Sequence, residues 1–210
     1  MPISTATNID IVNVSKHYLG KYGVKNVTLT FQIGKLNLLV GKNGSGKSTL
    51  IKCIMGVVRY EGTIIRQKTS IGYAPEEYVM PYFMTVRRFL ESIGAIRDIE
   101  SKRLISEIDE QLTYFDLKEH EHRRFGTLSN GMRQKVNLIQ AFLNHPKTIL
   151  LDEPLHGLDE DSQKKTLALI RNRIKESLVI VSTHYPESFK SRNRILYRMV
   201  EGVYADEQQA

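Results

Sequence analysis

The octapeptide GKNGSGKS at positions 41–48 constrains this chain more than any other stretch. A glycine is followed by four residues and then by glycine, lysine and serine. On one side stands a short apolar run, KLNLLV, and on the other a helical pattern over 48–55 that Gly56 closes. Gly41, Gly44 and Gly46 let the backbone turn so that successive N–H groups point into one concavity, which suits an anion. The helix behind the loop adds the positive end of its dipole. Lys47 brings a full charge to the β- and γ-phosphates of a nucleotide, and the Ser48 hydroxyl offers a ligand for Mg²⁺. The nucleotide-binding set read here is Gly41, Lys42, Asn43, Gly44, Ser45, Gly46, Lys47, Ser48 and Thr49.

Such a strand–loop–helix unit belongs to the α/β P-loop NTPase core, a mainly parallel sheet with flanking helices. The rest of the chain is read around it. Ile9, Ile11 and Val14 fall on one face, and Val27, Leu29, Phe31 and Ile33 alternate, which predicts an N-terminal antiparallel β subdomain. Residues 57–75 keep strand character around Gly62. The period then changes: Val86, Phe89, Leu90 and Ile93 follow a helical spacing, as do Leu104, Ile108, Leu112 and Phe115. Residues 77–145 are therefore expected to be mainly helical, stopping where Pro146 forbids continuation. Strand and helix alternate again afterwards: TILLDEP, a helix over about 159–175, LVIVS, and a last hairpin around Gly202. The expected organisation is a single domain over 1–210. Its core is 1–76 plus 146–210, and an α-helical subdomain is inserted at 77–145.

The strand TILLDEP carries Asp152 and Glu153 to its C-terminal end, where parallel sheets bind ligands. Asp152 suits Mg²⁺, directly or through water, and Glu153 suits polarising an attacking water. The next strand ends in STH, which brings His184 to the same edge, in reach of a γ-phosphate. Other classes are set aside by composition. The net charge is +7, but its lysines and arginines are spread along the chain with no aromatic RNA-binding box, zinc spacing or basic arm. No nucleic-acid partner is expected, whereas an anionic inner membrane leaflet is easily accommodated. No apolar run is long enough to cross a bilayer and no secretory pattern follows Met1, so a soluble, cytoplasmic chain is expected. The single cysteine, Cys53, excludes an internal disulfide and suits a reducing compartment.

Together these motifs resemble the ATP-binding-cassette (ABC) nucleotide-binding domain over nearly the whole chain. The Walker A loop (41–48), LSNGM (128–132) as signature, the Walker B strand (148–154), HGLD (156–159) as D-loop with Asp159, and His184 as switch histidine stand in family order. The resemblance implies two domains closing head to tail, each ATP held between the Walker A loop of one and the signature of the other. Ser129, Asn130, Gly131 and Met132 would then meet the partner's ATP, with Ser129 and the Gly131 N–H at its γ-phosphate. Glu153 and His184 would be catalytic, and Mg²⁺ would be held by Ser48 and Asp152, with Glu76 approaching it through water. Two departures stand out: Asn130 and Met132 replace residues of the usual LSGGQ, and GYAPE places Glu76 where the family commonly has glutamine. LS-x-GM-x-Q and Y-x-PEE resemble the exporter branch that serves type-2 drug, lantibiotic and polysaccharide permeases. Adenine would stack on Tyr18, from the loop after the first strand, or on Tyr22. The uncharged YVMPYFM (78–84) either packs the helical insertion or walls a groove for a permease helix.

The resulting expectation is an ATPase subunit that pairs with a second such subunit, identical or not. It would drive a separate integral membrane permease at the inner face of the membrane, in the direction of export. The alternative is a soluble ABC ATPase without a permease, resembling the assembly scaffold of iron–sulfur-cluster biogenesis. A DNA-repair ATPase would need a long coiled-coil insertion between Walker A and signature, and the intervening residues carry no sustained heptads.

Overall fold

The computed structural model describes residues 7–77 and 81–205. Among the described residues the fold has two sheets and five α-helices. The chain opens with the antiparallel pair β1 (Ile9–Tyr18) and β2 (Lys21–Phe31), and β4 (Glu61–Ile65) adds to the other side of β1. The second sheet has the order β5-β6-β7-β3-β8-β9, built from β3 (Leu36–Val40), β5 (Ile71–Ala74), β6 (Thr148–Asp152), β7 (Leu178–Thr183), β8 (Arg194–Val200) and β9 (Val203–Ala205). Its first five strands run parallel, and β9 folds back on β8 through the expected turn at Gly202. The strands β3, β6 and β7 are buried at every position, which is why they read as mainly apolar runs rather than alternations.

One face of this sheet packs with the antiparallel sheet and α1 (Lys47–Met55), around Phe31, Leu39, Leu50, Ile54 and Leu150. The other packs under α4 (Asn130–Phe142) and α5 (Glu160–Arg173), around Leu38, Phe142, Ile149, Ile170 and Val181. A third core lies among α2 (Val86–Ile96), α3 (Ser101–Tyr114) and α4, where Leu90, Ile108, Phe115, Val136 and Ile139 meet. Each such fully buried side chain contributes about 1.5–3 kcal/mol. Helix α4 thus belongs to two cores at once.

Parallel order sets the site. The C-terminal ends of β3, β5, β6 and β7 share one edge, so the glycine loop, Glu76, Asp152, Glu153 and His184 gather there from distant parts of the chain. One expectation is corrected: Tyr18 is not in a loop but is the last residue of β1, and Tyr22 is the second residue of β2. Only Leu19 and Gly20 separate the strands, with Gly20 at φ 72° making the tight turn.

Candidate active site

The loop's glycines answer specific demands. Gly46 caps α1 at φ 99°, and a Cβ there would lie 2.3 Å from Gly23 O. A Cβ on Gly41 would lie 2.4 Å from both Ser45 Oγ and Met199 O. Neither position admits another residue, and the loop's curvature follows from that. The first turn of α1 has no acidic residue and its cap no side-chain acceptor, so its leading N–H groups remain available to an anion. The Ser45 hydroxyl is buried without a hydrogen-bond partner in the same loop. Lys47 is 6% exposed, its ammonium donating to Gly41 O at 2.8 Å and Lys42 O at 3.2 Å. A polyphosphate fits this lining: it supplies acceptors for orphan donors and a stronger counter-charge for a buried ammonium.

Across the edge stands the acidic side. Asp152 and Glu153 are 2% and 5% exposed. Ser182, opposite Asp152 on β7, donates its hydroxyl to Asp152 Oδ1. Glu153 adopts left-handed backbone at φ 48°, a costly conformation for a residue with a Cβ. It is held by its own N–H donating to Ser182 O at 3.1 Å and by His156 N–H donating to its carbonyl at 3.1 Å. Its carboxylate meets His184 Nδ1 at 2.8 Å and lies 3.9 Å from Lys47 Nζ. With the carboxylate as acceptor, His184 donates from Nδ1 and keeps Nε2 for another partner. Glu76 sits at the mouth, where desolvation and the nearby charges of Asp152 and Glu153 push it above the ordinary carboxylate range. Hard oxygens from Ser48 and Asp152, completed by phosphate and water, suit Mg²⁺ better than a softer metal.

A cleft of about 390 Å³ joins the loop to the tyrosines: Tyr18, Tyr22, Gly23, Lys47, Thr49 and Glu76 are on its wall. Tyr18 is so close over Gly23 that a Cβ there would lie 2.9 Å from its ring, with Lys16 Nζ 4.9 Å from the ring centre. Tyr22 instead leans on His17, ring centres 4.8 Å apart. The structure therefore brings together the glycine loop, Asp152, Glu153, His184, Glu76 and both tyrosines. No signature residue is on the wall of the glycine-loop cleft. Ser129 caps α4, its hydroxyl accepting from Met132 N–H at 3.2 Å; Ser129 and Asn130 are exposed, Gly131 and Met132 half-buried. Asn130 lines a separate cleft with Glu76, Tyr82, Arg133 and Glu153. Asp159 caps α5 by accepting from Ser162 N–H at 2.8 Å and pairs with Lys135 at 3.6 Å.

Sequence reasoning missed Ser182, which hydrogen-bonds Asp152, and a set of amides on α4; the latter had a visible signal, Gln134, Asn137 and Gln140 recurring at helical spacing beside Val136, Leu138 and Ile139. Of YVMPYFM, Tyr78, Val79 and Met80 lie outside the described residues. Tyr82 and Phe83 are 62% and 76% exposed, so they are not the core of the helical layer.

The family model described as "ABC transporter" matches residues 24–156. The chain belongs to that family. It is an ABC ATPase cassette. It is 31% identical to the uncharacterized ABC transporter ATP-binding protein YxlF of Bacillus subtilis (strain 168), over 84% of this chain and 62% of that one. It is 29% identical to the zinc import ATP-binding protein ZnuC of Rickettsia bellii (strain RML369-C), over 90% of this chain and 81% of the relative. The dimeric structure of MJ0796, a bacterial ABC transporter cassette, superposes with a TM-score of 0.84 at 23% identity, covering 94% of this chain and 97% of the other. The cassette thus spans less than two thirds of YxlF but most of the other two. No helix among the described residues is long and apolar enough to cross a membrane.

Proposed function

We propose that this cassette closes head to tail on a second cassette around two ATP molecules, and that the cycle drives a separate integral membrane permease in export. The observation that carries the reading is the split of the site. The phosphate loop, Glu153 and His184 converge within one chain, while Ser129 and Gly131, at the head of α4, are not on the wall of the glycine-loop cleft. A helix N-terminus with a serine and a glycine N–H is an anion site that its own loop does not fill. A partner's ATP fits it.

In this reading Lys47 and the loop N–H groups bind the β- and γ-phosphates, and Tyr18 stacks on adenine, with Tyr22 beside it. Glu153 accepts the proton of the attacking water, and its bond to His184 fixes the carboxylate's angle. Bound Mg²⁺, held by Ser48 and Asp152 with Glu76 acting through water, would neutralise charge on the transferring phosphoryl group. Residues 77–145 serve as the helical subdomain against a core of 1–76 plus 146–210. Export rests on LS-x-GM-x-Q and Y-x-PEE; ZnuC, named for zinc import, marks the opposite direction as the outcome to exclude. The exposed Tyr82 and Phe83 supply an apolar wall for a permease helix, which would hold the cassette at the inner face of the membrane.

The test is co-purification from membranes. The tagged cassette should retain a polytopic membrane protein, and Tyr82→Ser with Phe83→Ser should release it while ATP binding persists. Capture of soluble assembly factors with no membrane protein would favour a permease-free ATPase. In inside-out vesicles ATP should drive the substrate into the lumen; ATP-driven loss of preloaded substrate would reverse the assigned direction.

A further inference from the structure

Three buried amides run along α4 where a packed helix ordinarily carries apolar side chains. Gln134, Asn137 and Gln140 follow at three-residue spacing and are 4%, 1% and 9% exposed. Each donates to a main-chain carbonyl in or just beyond a strand of the parallel sheet: Gln134 Nε2 to Pro154 O at 3.1 Å, Asn137 Nδ2 to Pro75 O at 2.9 Å, and Gln140 Nε2 to Tyr73 O at 2.5 Å. They also bond one another, Asn137 Nδ2 to Gln134 Oε1 at 3.2 Å and Gln140 Nε2 to Asn137 O at 3.0 Å. Leucine or methionine would fill this space without desolvating three amides, so packing alone does not account for them. Directional bonds fix the slide and rotation of α4 against the strands, which an apolar contact leaves looser.

The carbonyls chosen matter. Pro75 O belongs to the peptide that leads into Glu76, and Pro154 directly follows Glu153. At the other end, α4 begins at the signature, where a Cβ on Gly131 would lie 2.9 Å from Gly157 O. From Ser129 to Gln134 is about 7.5 Å of helix, a little over one turn. Glu153, in its left-handed conformation, has little room to absorb a shift of its neighbour without turning its carboxylate.

We propose that Gln134, Asn137 and Gln140 are positioning residues that carry phosphate contact at the head of α4 to Glu153 and Glu76 of the same chain. This rests on the shared-site reading above. The head of α4 then meets ATP held by the partner's loop, whereas Glu153 acts on ATP held by its own. The amide ladder makes occupancy of one site set the hydrolytic geometry of the other.

Mixed dimers of full-length, differently tagged chains test this. Both chains carry the same ladder, parent, Gln134→Met or Asn137→Leu; one chain keeps its phosphate loop, and its partner carries the parent loop or Lys47→Ala. Turnover per ATP-binding chain is measured, with KM. With the parent ladder, disabling the partner's loop should lower turnover at the intact site at least tenfold. With either ladder variant, turnover should begin at least tenfold lower, KM should stay within threefold, and disabling the partner's loop should change the rate less than twofold. Loss of folded protein alone would scale the rate yet preserve the tenfold response, and that result overturns the proposal, as does parental turnover in both variants. Ser129→Arg added to the Lys47→Ala partner should remove the residual rate. If it does not, the shared-site reading fails, and the ladder proposal with it.

Discussion

Replacing Glu153 by glutamine separates binding from chemistry in this cassette. The amide cannot accept a proton from water, and a positioned general base contributes about 10²–10⁴ in rate. At 1.36 kcal/mol per decade, the barrier rises by about 3–5 kcal/mol. Binding should move the other way. Glu153 Oε1 lies 3.9 Å from Lys47 Nζ, and both side chains are 6% exposed. A pair at that distance attracts by about 4 kcal/mol at an effective dielectric of about 20, largely offset by desolvation. That attraction competes with phosphate for the ammonium, and the carboxylate also repels the phosphates directly. Glutamine removes both effects, so ATP affinity should rise about threefold to tenfold. The fold should be nearly unaffected, because the amide oxygen still accepts from His184 Nδ1 and the left-handed backbone costs glutamine no more than glutamate. Phosphate release, nucleotide titration and thermal unfolding on one preparation read all three quantities. Turnover above a tenth of the parent rate would remove Glu153 as the base. A tenfold weaker affinity would show that its charge organises the loop rather than competing with phosphate.

Lys47→Ala should weaken ATP binding at least 100-fold, about 2.7 kcal/mol, since it deletes the loop's buried cation; equilibrium titration checks this. Ser182→Ala removes the hydroxyl that donates to the buried Asp152 carboxylate and should cost about 2 kcal/mol, seen as a fall in Tm of about 5 °C. His145, between α4 and β6, is held below the ordinary histidine pKa by burial and then by the Arg173 charge, with Arg103 opposing protonation and Glu107 and Glu176 favouring it. A depressed histidine binds its proton more readily when unfolded, so its contribution is present above the unfolded pKa and is lost as pH falls below it. His145→Asn, which tolerates the φ of 48° found there, should flatten the loss of stability between about pH 7 and 5, measured as Tm against pH. An unchanged slope would mean that another group sets it.

The sequence by itself determined what local chemistry and periodicity can encode. GKNGSGKS could be read because glycine, lysine and serine act through backbone reach and charge within eight residues. The runs of β3, β6 and β7 declared a buried parallel sheet because both of their faces meet helices or the second sheet. The helical spacing of Val86, Leu90, Leu104 and Ile108 likewise announced α2 and α3. Tyr18 was expected in a loop and is instead in β1, because a two-residue turn leaves no loop to be seen between two strands. Only the tertiary structure decided the partners. Strand order put Ser182 beside Asp152 and His184 on Glu153, pairings about thirty residues apart that no local pattern records. It exposed Tyr82 and Phe83 at the surface of the helical layer, where composition allowed either core or groove. And it turned Gln134, Asn137 and Gln140, polar residues on a helix read only for its cap, inward to the carbonyls beside Glu76 and Glu153. A hydrogen bond is directional and short, so which carbonyl an amide finds is known only when the strands that carry it have been placed.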